Sequence, residues 1–268
     1  RTKQKELTRN GGFTMTVLLK AKEVTKTYEN AKRPSLNKVS FSVENGEFIS
    51  IMGASGSGKT TLLNVLSTID TPTGGEIRIN GTELKSLSPT AAADFRKNNL
   101  GFIFQEYFLL DSLTIRENIS VPLALLKVPP AKIEKNVRDF AKRFGIASQL
   151  DKYPCELSGG QRQRASAIRA IIKHPSILFA DEPTGALDSS SATELLTALL
   201  NANQELHTTI LMVTHDAYAA SFANRILIFR DGCILKELSK GDSGRHEFYE
   251  TIAAEIAKSD TTRTGGSQ

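Results

Sequence analysis

The sequence predicts an α/β fold, a mixed core sheet with helices packed against it, and three observations lead there. Short, mainly apolar runs at 48–52, 177–180 and 209–213 have the length and near-continuous hydrophobicity of strands buried on both faces. A glycine-rich loop, GASGSGKT (53–60), joins the first of these runs to a stretch with helical apolar spacing, Thr60 to Ile69. Finally, the pairs Asn45-Gly46, Asn80-Gly81 and Asp231-Gly232 each lie between strand-like runs, which predicts β-hairpins.

Taken along the chain, residues 15 to about 50 are strand-like: VLLKAKEVTKTY, then VSFSVENGEFISIMG with Val39, Phe41 and Val43 in alternation. GEIRINGTEL (75–84) predicts a second hairpin. The middle changes character. Pro129 and Pro130 introduce a helix whose Ile133, Val137, Phe140, Ala141 and Phe144 share one face. Residues from about 106 to 160 therefore form a helical lobe inserted into the α/β core. A helix is expected over Ser190 to Leu200, capped by Asp188 or a neighbouring serine. RILIFRDGCILKEL (225–238) predicts the third hairpin, and FYETIAAEIAKS an amphipathic helix with Phe248, Ile252 and Ile256 spaced by four. The organisation expected is one domain over 15–240, a tail at 1–14, and a C-terminal helix with a disordered end after Asp260 within 241–268.

At 268 residues the chain has room for one sizeable nucleotide-binding domain of this type, not two. No apolar run approaches the roughly 18 residues of a membrane helix, so action at a membrane requires a partner. The net charge is +5, but Arg1, Lys3, Lys5 and Arg9 against Glu6 place +3 of it in the first fourteen residues. The body is then only weakly basic, which argues against a nucleic-acid footprint. That tail lacks the apolar core of a signal peptide and reads as an extension ahead of a start at Met15. Cys155 and Cys233 read as free thiols of a reducing compartment, and four histidines form no ligand-spaced cluster.

GASGSGKT fits G-x-x-x-x-G-K-[ST], a phosphate-binding pattern with a mechanism. Gly53, Gly56 and Gly58 let the backbone turn tightly, so the N–H groups of Gly53, Ala54, Ser55, Gly56, Ser57 and Gly58 converge on phosphate oxygens. The following helix points its N-terminus at the same anion. Lys59 reaches the β- and γ-phosphates, Thr60 ligates Mg2+, and Thr61 lies by the α-phosphate. Asp181 ends a buried run and suits the Mg2+ water shell; Glu182, next in line, can polarise a water for attack on the γ-phosphate.

LSGGQ (157–161), followed by RQR, carries the chain from P-loop proteins in general to one family. Between the phosphate loop and the acidic strand end, it resembles the signature of ABC ATPases. Other marks follow in the family's order. Tyr28 is similar to the aromatic that stacks on adenine, Gln105 to the Q-loop glutamine that contacts Mg2+ and the γ-phosphate, Ala186-Leu187-Asp188 to the D-loop, and His215 to the switch histidine. The resemblance spans 15 to about 240 and implies a P-loop NTPase of ABC type, with an antiparallel β subdomain and an inserted helical subdomain. The resemblance also implies ATP and Mg2+ as cofactors. Ser158, Gly159, Gly160 and Gln161 open a helix as a second anion nest. In the family this nest covers ATP held by the opposite subunit, so a homodimer enclosing two ATP molecules is expected. Glu182, His215, Gln105 and Lys59 are the implied catalytic set, with Thr60, Gln105 and Asp181 at the metal and Asp188 as either a nucleotide contact or a helix cap.

The stretches LSTIDTPTGGEI, FIFQEYFLLDSLTIRENISVPLAL, LDKYPCELSGGQRQRASAIRAII, FADEPTGALDSSSATELL, THDAYAASFANRI and HEFYETI resemble the bacitracin-resistance-type ATPases of antimicrobial-peptide resistance and sensing. Lipoprotein-release, macrolide-efflux and cell-division ATPases share much of this pattern and form the alternative. The resemblance implies an integral membrane permease as partner, a sensor kinase reached through it, and a position on the cytoplasmic face of the membrane. A soluble ABC protein acting on DNA or ribosomes would carry a coiled-coil insertion or two such domains, and neither is present. A non-hydrolytic scaffold is at odds with intact Lys59, Asp181, Glu182 and His215.

Overall fold

The computed structural model of the chain describes residues 16–29 and 31–264, with side chains through residue 258. The tail expected at 1–14, the start at Met15 and residues 265–268 lie outside the described residues. In chain order the first half contains β1 (Val17–Lys26), β2 (Leu36–Glu44), β3 (Phe48–Met52), α1 (Lys59–Leu66), β4 (Gly74–Ile79), β5 (Thr82–Glu83), α2 (Pro89–Asn99), β6 (Leu100–Ile103), α3 (Ile115–Leu125) and α4 (Pro130–Arg143). The second half continues with α5 (Gly159–Ile171), β7 (Ile177–Asp181), α6 (Ser189–Leu206), β8 (Thr209–Thr214), α7 (Ala217–Ala220), β9 (Arg225–Arg230), β10 (Cys233–Ser239) and α8 (Arg245–Thr264).

Two sheets result. An antiparallel sheet runs β2-β1-β4-β5, and a core sheet runs β10-β9-β3-β8-β7-β6. In the core sheet β9, β3, β8, β7 and β6 are all parallel, and β10 joins the edge antiparallel. The apolar runs are continuous because both faces of this sheet are covered. Ile49, Ile51, Phe179, Leu211 and Val213 pack toward α1 and the antiparallel sheet. Phe48, Leu178, Ala180, Ile210 and Met212 face the other way, onto the helical side with Ile119, Val137, Phe140, Ile168 and Leu195.

The hairpins at Asn80-Gly81 and Asp231-Gly232 form as expected, with both turn residues at positive φ (50° and 77°, 49° and 77°). The hairpin expected at Asn45-Gly46 does not form. β2 pairs with β1, while β3 crosses into the core sheet. Only Gly46 of that pair has positive φ, so the two-residue turn that folds a strand back on its neighbour is not made. A strand buried along its whole length, as β3 is, also needs cover on both faces, which the antiparallel sheet does not supply.

The helical lobe appears where expected, as α3 and α4 with the start of α5. Thr114 caps α3 in a reciprocal box with Glu117. On α4, Val137, Phe140 and Ala141 are buried, with Phe144 just beyond its end. The helix expected over Ser190–Leu200 is longer, Ser189–Leu206, and Asp188 caps it by accepting from Ser191 N at 3.0 Å. The last helix likewise continues past Asp260 to Thr264, since no glycine or proline interrupts it before Gly265. Phe248 and Ile252 of α8 pack on Met52, Ala220, Ile226 and Ile228, so this helix is seated on the core directly behind the glycine-rich loop.

Parallel pairing places the C-terminal ends of four neighbouring strands in one row. Met52 is level with Thr214, Val213 with Asp181, and Ala180 with Ile103. The residues that follow those ends are Gly53, His215, Glu182 and Gln105 (one residue on). The motifs, scattered over more than 160 positions of sequence, thereby share one edge, the usual ligand edge of a parallel sheet.

Candidate functional site

Gly58 is the N-cap of α1 at φ 104°, and a methyl group there would lie 2.3 Å from Ser35 O. No other residue fits, and no side chain caps the helix, which leaves its first N–H groups to an anion. Lys59 is 6% exposed, and its Nζ arches over the loop to Gly53 O (2.8 Å) and Ala54 O (3.0 Å). Burial lowers the pKa of its ammonium, while Glu182 and Asp181 oppose that shift. Ala54, Ser55 and Gly56 are exposed at the tip of the loop and Thr61 is half-buried on α1. Ser57 is buried with its Oγ unpartnered.

Asp181 ends β7 opposite this loop. Burial raises its pKa, as does Glu182, and these are opposed by the charge of Lys59 and a hydrogen bond from the Thr60 hydroxyl. Asp181 Oδ1 is buried without a hydrogen-bond partner. A carboxylate oxygen held in this way, next to a threonine hydroxyl and a phosphate loop, fits a hard, oxygen-seeking cation. Glu182 then turns out of the strand with φ 45°, a left-handed conformation that is costly for a non-glycine residue and that collects at functional sites. Its own N–H still donates to Val213 O (2.9 Å), which anchors the turn to β8. Glu182 Oε2 lies 2.9 Å from His215 Nδ1 and 3.4 Å from His215 N. Gln105 approaches the same loop: a methyl group on Gly185, three residues after Glu182, would sit 3.1 Å from its Nε2 and 3.4 Å from Glu182 O.

Ser158 caps α5. Its Oγ accepts from Gln161 N (3.3 Å) and its N donates to Gln161 Oε1 (3.0 Å). Gly160 has no room for a side chain, because a methyl group would lie 2.5 Å from Ser191 Oγ on α6. Gly159 faces Tyr107, Leu187 and Ala186, so the D-loop lies beside the nest. Among the described residues no hydrogen bond joins residues 158–161 to residues 53–61.

The structure thus gathers Lys59, Thr60, Asp181, Glu182, His215 and Gln105. It leaves Ser158–Gln161 and Asp188 in a second group, where Asp188 acts as a helix cap. Tyr28 is separate again, 43% exposed, with its hydroxyl on Asp70 Oδ2 (3.0 Å) and the Lys26 ammonium 4.8 Å from its ring centroid. Sequence reasoning missed Lys26 and Asp70, which hold this ring, and Gln163, a fully buried glutamine on α5. The signal for Gln163 was available: it falls on the buried face of a helix that also carries Gly160, Ala167 and Ile171.

Fold and site together define a P-loop nucleotide-binding domain with a signature helix. Comparison with known proteins carries this further. A family description, ABC transporter, matches residues 36–185. The chain is 52% identical to the bacitracin export ATP-binding protein BceA of Halalkalibacterium halodurans, over 88% of this chain and 94% of that protein. It is 46% identical to the ABC transporter ATP-binding protein YxdL of Bacillus subtilis, over 89% and 93%. Among solved structures, the dimeric post-hydrolysis state of the ATP-binding cassette MJ0796, bound to ADP and Pi, aligns with a TM-score of 0.76 at 35% identity, over 83% and 98%. The chain belongs to the ABC transporter family, as an ATP-binding and ATP-hydrolysing subunit.

Proposed function

We propose that two copies of this chain enclose two ATP molecules, each held by the Lys59 loop of one copy and the Ser158 nest of the other. One observation carries this reading: each chain has two glycine-rich helix starts suited to an anion, at Gly58 and Ser158, that no hydrogen bond among the described residues joins. The dimeric MJ0796 cassette supports it.

Within each site Lys59 and the loop N–H groups bind the β- and γ-phosphates. Thr60, Asp181 and Gln105 would hold Mg2+, which supplies charge neutralisation between those phosphates. Glu182 orients and deprotonates the attacking water. His215 fixes the Glu182 carboxylate by donating from Nδ1, and with both ring nitrogens protonated its Nε2–H would donate to the γ-phosphate. Tyr28 offers the adenine its open face. Loss of the γ-phosphate removes contacts shared by both copies and releases the pair, a population shift driven by differential affinity.

A trans-complementation assay tests the shared site. Lys59→Ala and Ser158→Glu each disable both sites of a homodimer. Mixed, they form a heterodimer with one intact site. Random pairing then restores about a quarter of wild-type hydrolysis. No recovery on mixing, with each variant folded and dimeric, refutes the arrangement.

The partner is an integral membrane permease, and the chain sits beneath it on the cytoplasmic face. No helix among the described residues is long and apolar enough to cross a membrane. Phe108 (57% exposed) and Leu110 (49% exposed), just after Gln105, offer a permease segment an apolar seat linked to the γ-phosphate site. The likeness to BceA supports bacitracin-type antimicrobial peptides as the cargo or signal. A sensor kinase engaged through the permease is the further partner of this reading. Deleting the gene is expected to lower bacitracin tolerance, and unchanged tolerance would reject this substrate class.

A further inference from the structure

We infer that Gln163 is a positioning residue for hydrolysis, locking the signature helix to the loops that carry Gln105 and Glu182. This rests on the roles proposed above for those two residues. Gln163 is 0% exposed, and its Nε2 donates to Phe104 O (3.0 Å) and Pro183 O (2.7 Å). Each carbonyl belongs to a residue adjoining a site residue, Phe104 before Gln105 and Pro183 after Glu182.

The need for such a link follows from the sheet. β6 and β7 pair as far as Ile103 and Ala180 and then diverge. Beyond that point Phe104 O and Pro183 O have left the ladder, and one amide spans the gap. Both of its hydrogens have carbonyl partners, which fixes the amide's orientation: turned over, it would set oxygen against oxygen. Its Oε1 is buried with no partner. A leucine would fill the same volume without that cost, so packing alone does not account for a glutamine here.

Gln163 also lies five residues after Ser158 on one uninterrupted helix. The nest that faces the neighbouring copy's ATP is therefore rigidly joined to the backbone that aims this copy's Gln105 and Glu182. Glu182 is already in a left-handed conformation, and on its C-terminal side Gln163 holds the next residue through Pro183 O, beside the turn bond from Gly185 N to Glu182 O (3.0 Å). Releasing that carbonyl lets the carboxylate drift, while the phosphate loop, on β3 and α1, is untouched. The loss accordingly falls on kcat far more than on ATP binding, of which the phosphate loop and Lys59 supply the larger share.

Two substitutions test this. Gln163→Leu removes the donor and keeps the volume. Gln163→Glu keeps the shape, and its carboxyl can donate to one carbonyl only while protonated, a form that burial favours. Steady-state ATP hydrolysis and ATP affinity are measured from about pH 5.5 to 8, with thermal melts to establish folding. We expect kcat to fall about ten- to hundredfold in Gln163→Leu, with affinity within about twofold of wild type. In Gln163→Glu the deficit is smallest at the acid end and widens as pH rises. Equal kcat in folded variants, a loss confined to affinity, or a deficit in Gln163→Glu that does not change with pH would overturn the assignment. Glu182→Gln, run in parallel, separates the two levels: if it also hydrolyses normally, the proposed catalytic set is wrong. If it is inactive while the Gln163 variants are normal, only the role of Gln163 falls.

Discussion

Glu182→Gln is the substitution that asks most of this site. The amide keeps the shape of the side chain and one oxygen that can still accept from His215 Nδ1, now at 2.9 Å from Glu182 Oε2. What it loses is the ability to take a proton from water. General-base assistance is worth about 10²–10⁴ in rate, or about 3–5 kcal/mol of barrier. Binding is expected to survive. Glu182 raises the pKa of neighbouring Asp181, so neutralising Glu182 makes the Asp181 carboxylate easier to keep ionised beside Lys59. The variant is thus predicted to bind Mg-ATP at least as well as wild type and to melt no earlier. Slow hydrolysis with intact binding leaves the shared γ-phosphate contacts in place, so Mg-ATP accumulates a closed dimer. Phosphate release measures the first effect and gel filtration with Mg-ATP the second. A variant that stays monomeric while hydrolysing normally refutes the reasoning.

Lys59→Ala removes the one ammonium inside the phosphate loop; charged hydrogen bonds of about 1.5–3 kcal/mol translate into about a tenfold to hundredfold loss of ATP affinity. Unchanged binding by calorimetry would reject that role. Tyr28→Ala is expected to raise KM for ATP by about 1–3 kcal/mol of lost stacking with kcat unaffected, whereas Tyr28→Phe keeps the ring and loses only the bond to Asp70. Equal KM values for all three proteins would count against stacking. Lys173 donates to Arg96 O (3.1 Å) and Lys97 O (2.7 Å) at the end of α2, and burial lowers its pKa from 10.5 to about 8. Below pH 8 it is charged in both folded and unfolded chains. Between 8 and 10.5 the unfolded chain binds more protons, so this group makes the fold more stable as pH rises through that window. An NMR titration of isotopically methylated Lys173 with a midpoint at the ordinary 10.5 would show the burial argument wrong.

Most of the core was legible because its signals are local. β3, β7 and β8 announce themselves as short, mainly apolar runs, and α5 and α6 by a serine and an aspartate that cap them. The turn at Asn45-Gly46 misled because a turn dipeptide states a local preference, while the choice of strand partner is made by burial. Strand β3 has five buried residues in succession and leaves its sequence neighbour for the interior sheet. Gln163 escaped for a related reason: helical spacing places it on the buried face of α5, but spacing does not say what a buried amide would bond. The two carbonyls it serves come from residues 59 positions before it and 20 after it.

From sequence alone came the chemistry on offer: a glycine cradle with Lys59 and Thr60, two adjacent carboxylates at a strand end, and a capped glycine nest at Ser158. Such motifs are read within a few residues, since backbone conformation and side-chain reach act over that range. Tertiary structure alone decided which of them meet. Parallel pairing in the order β3-β8-β7-β6 brings Gly53, His215, Glu182 and Gln105 to one edge, and the turn of α5 leaves Ser158 in a separate group. Strand order is a non-local outcome of covering both faces of the sheet, and no local periodicity encodes it.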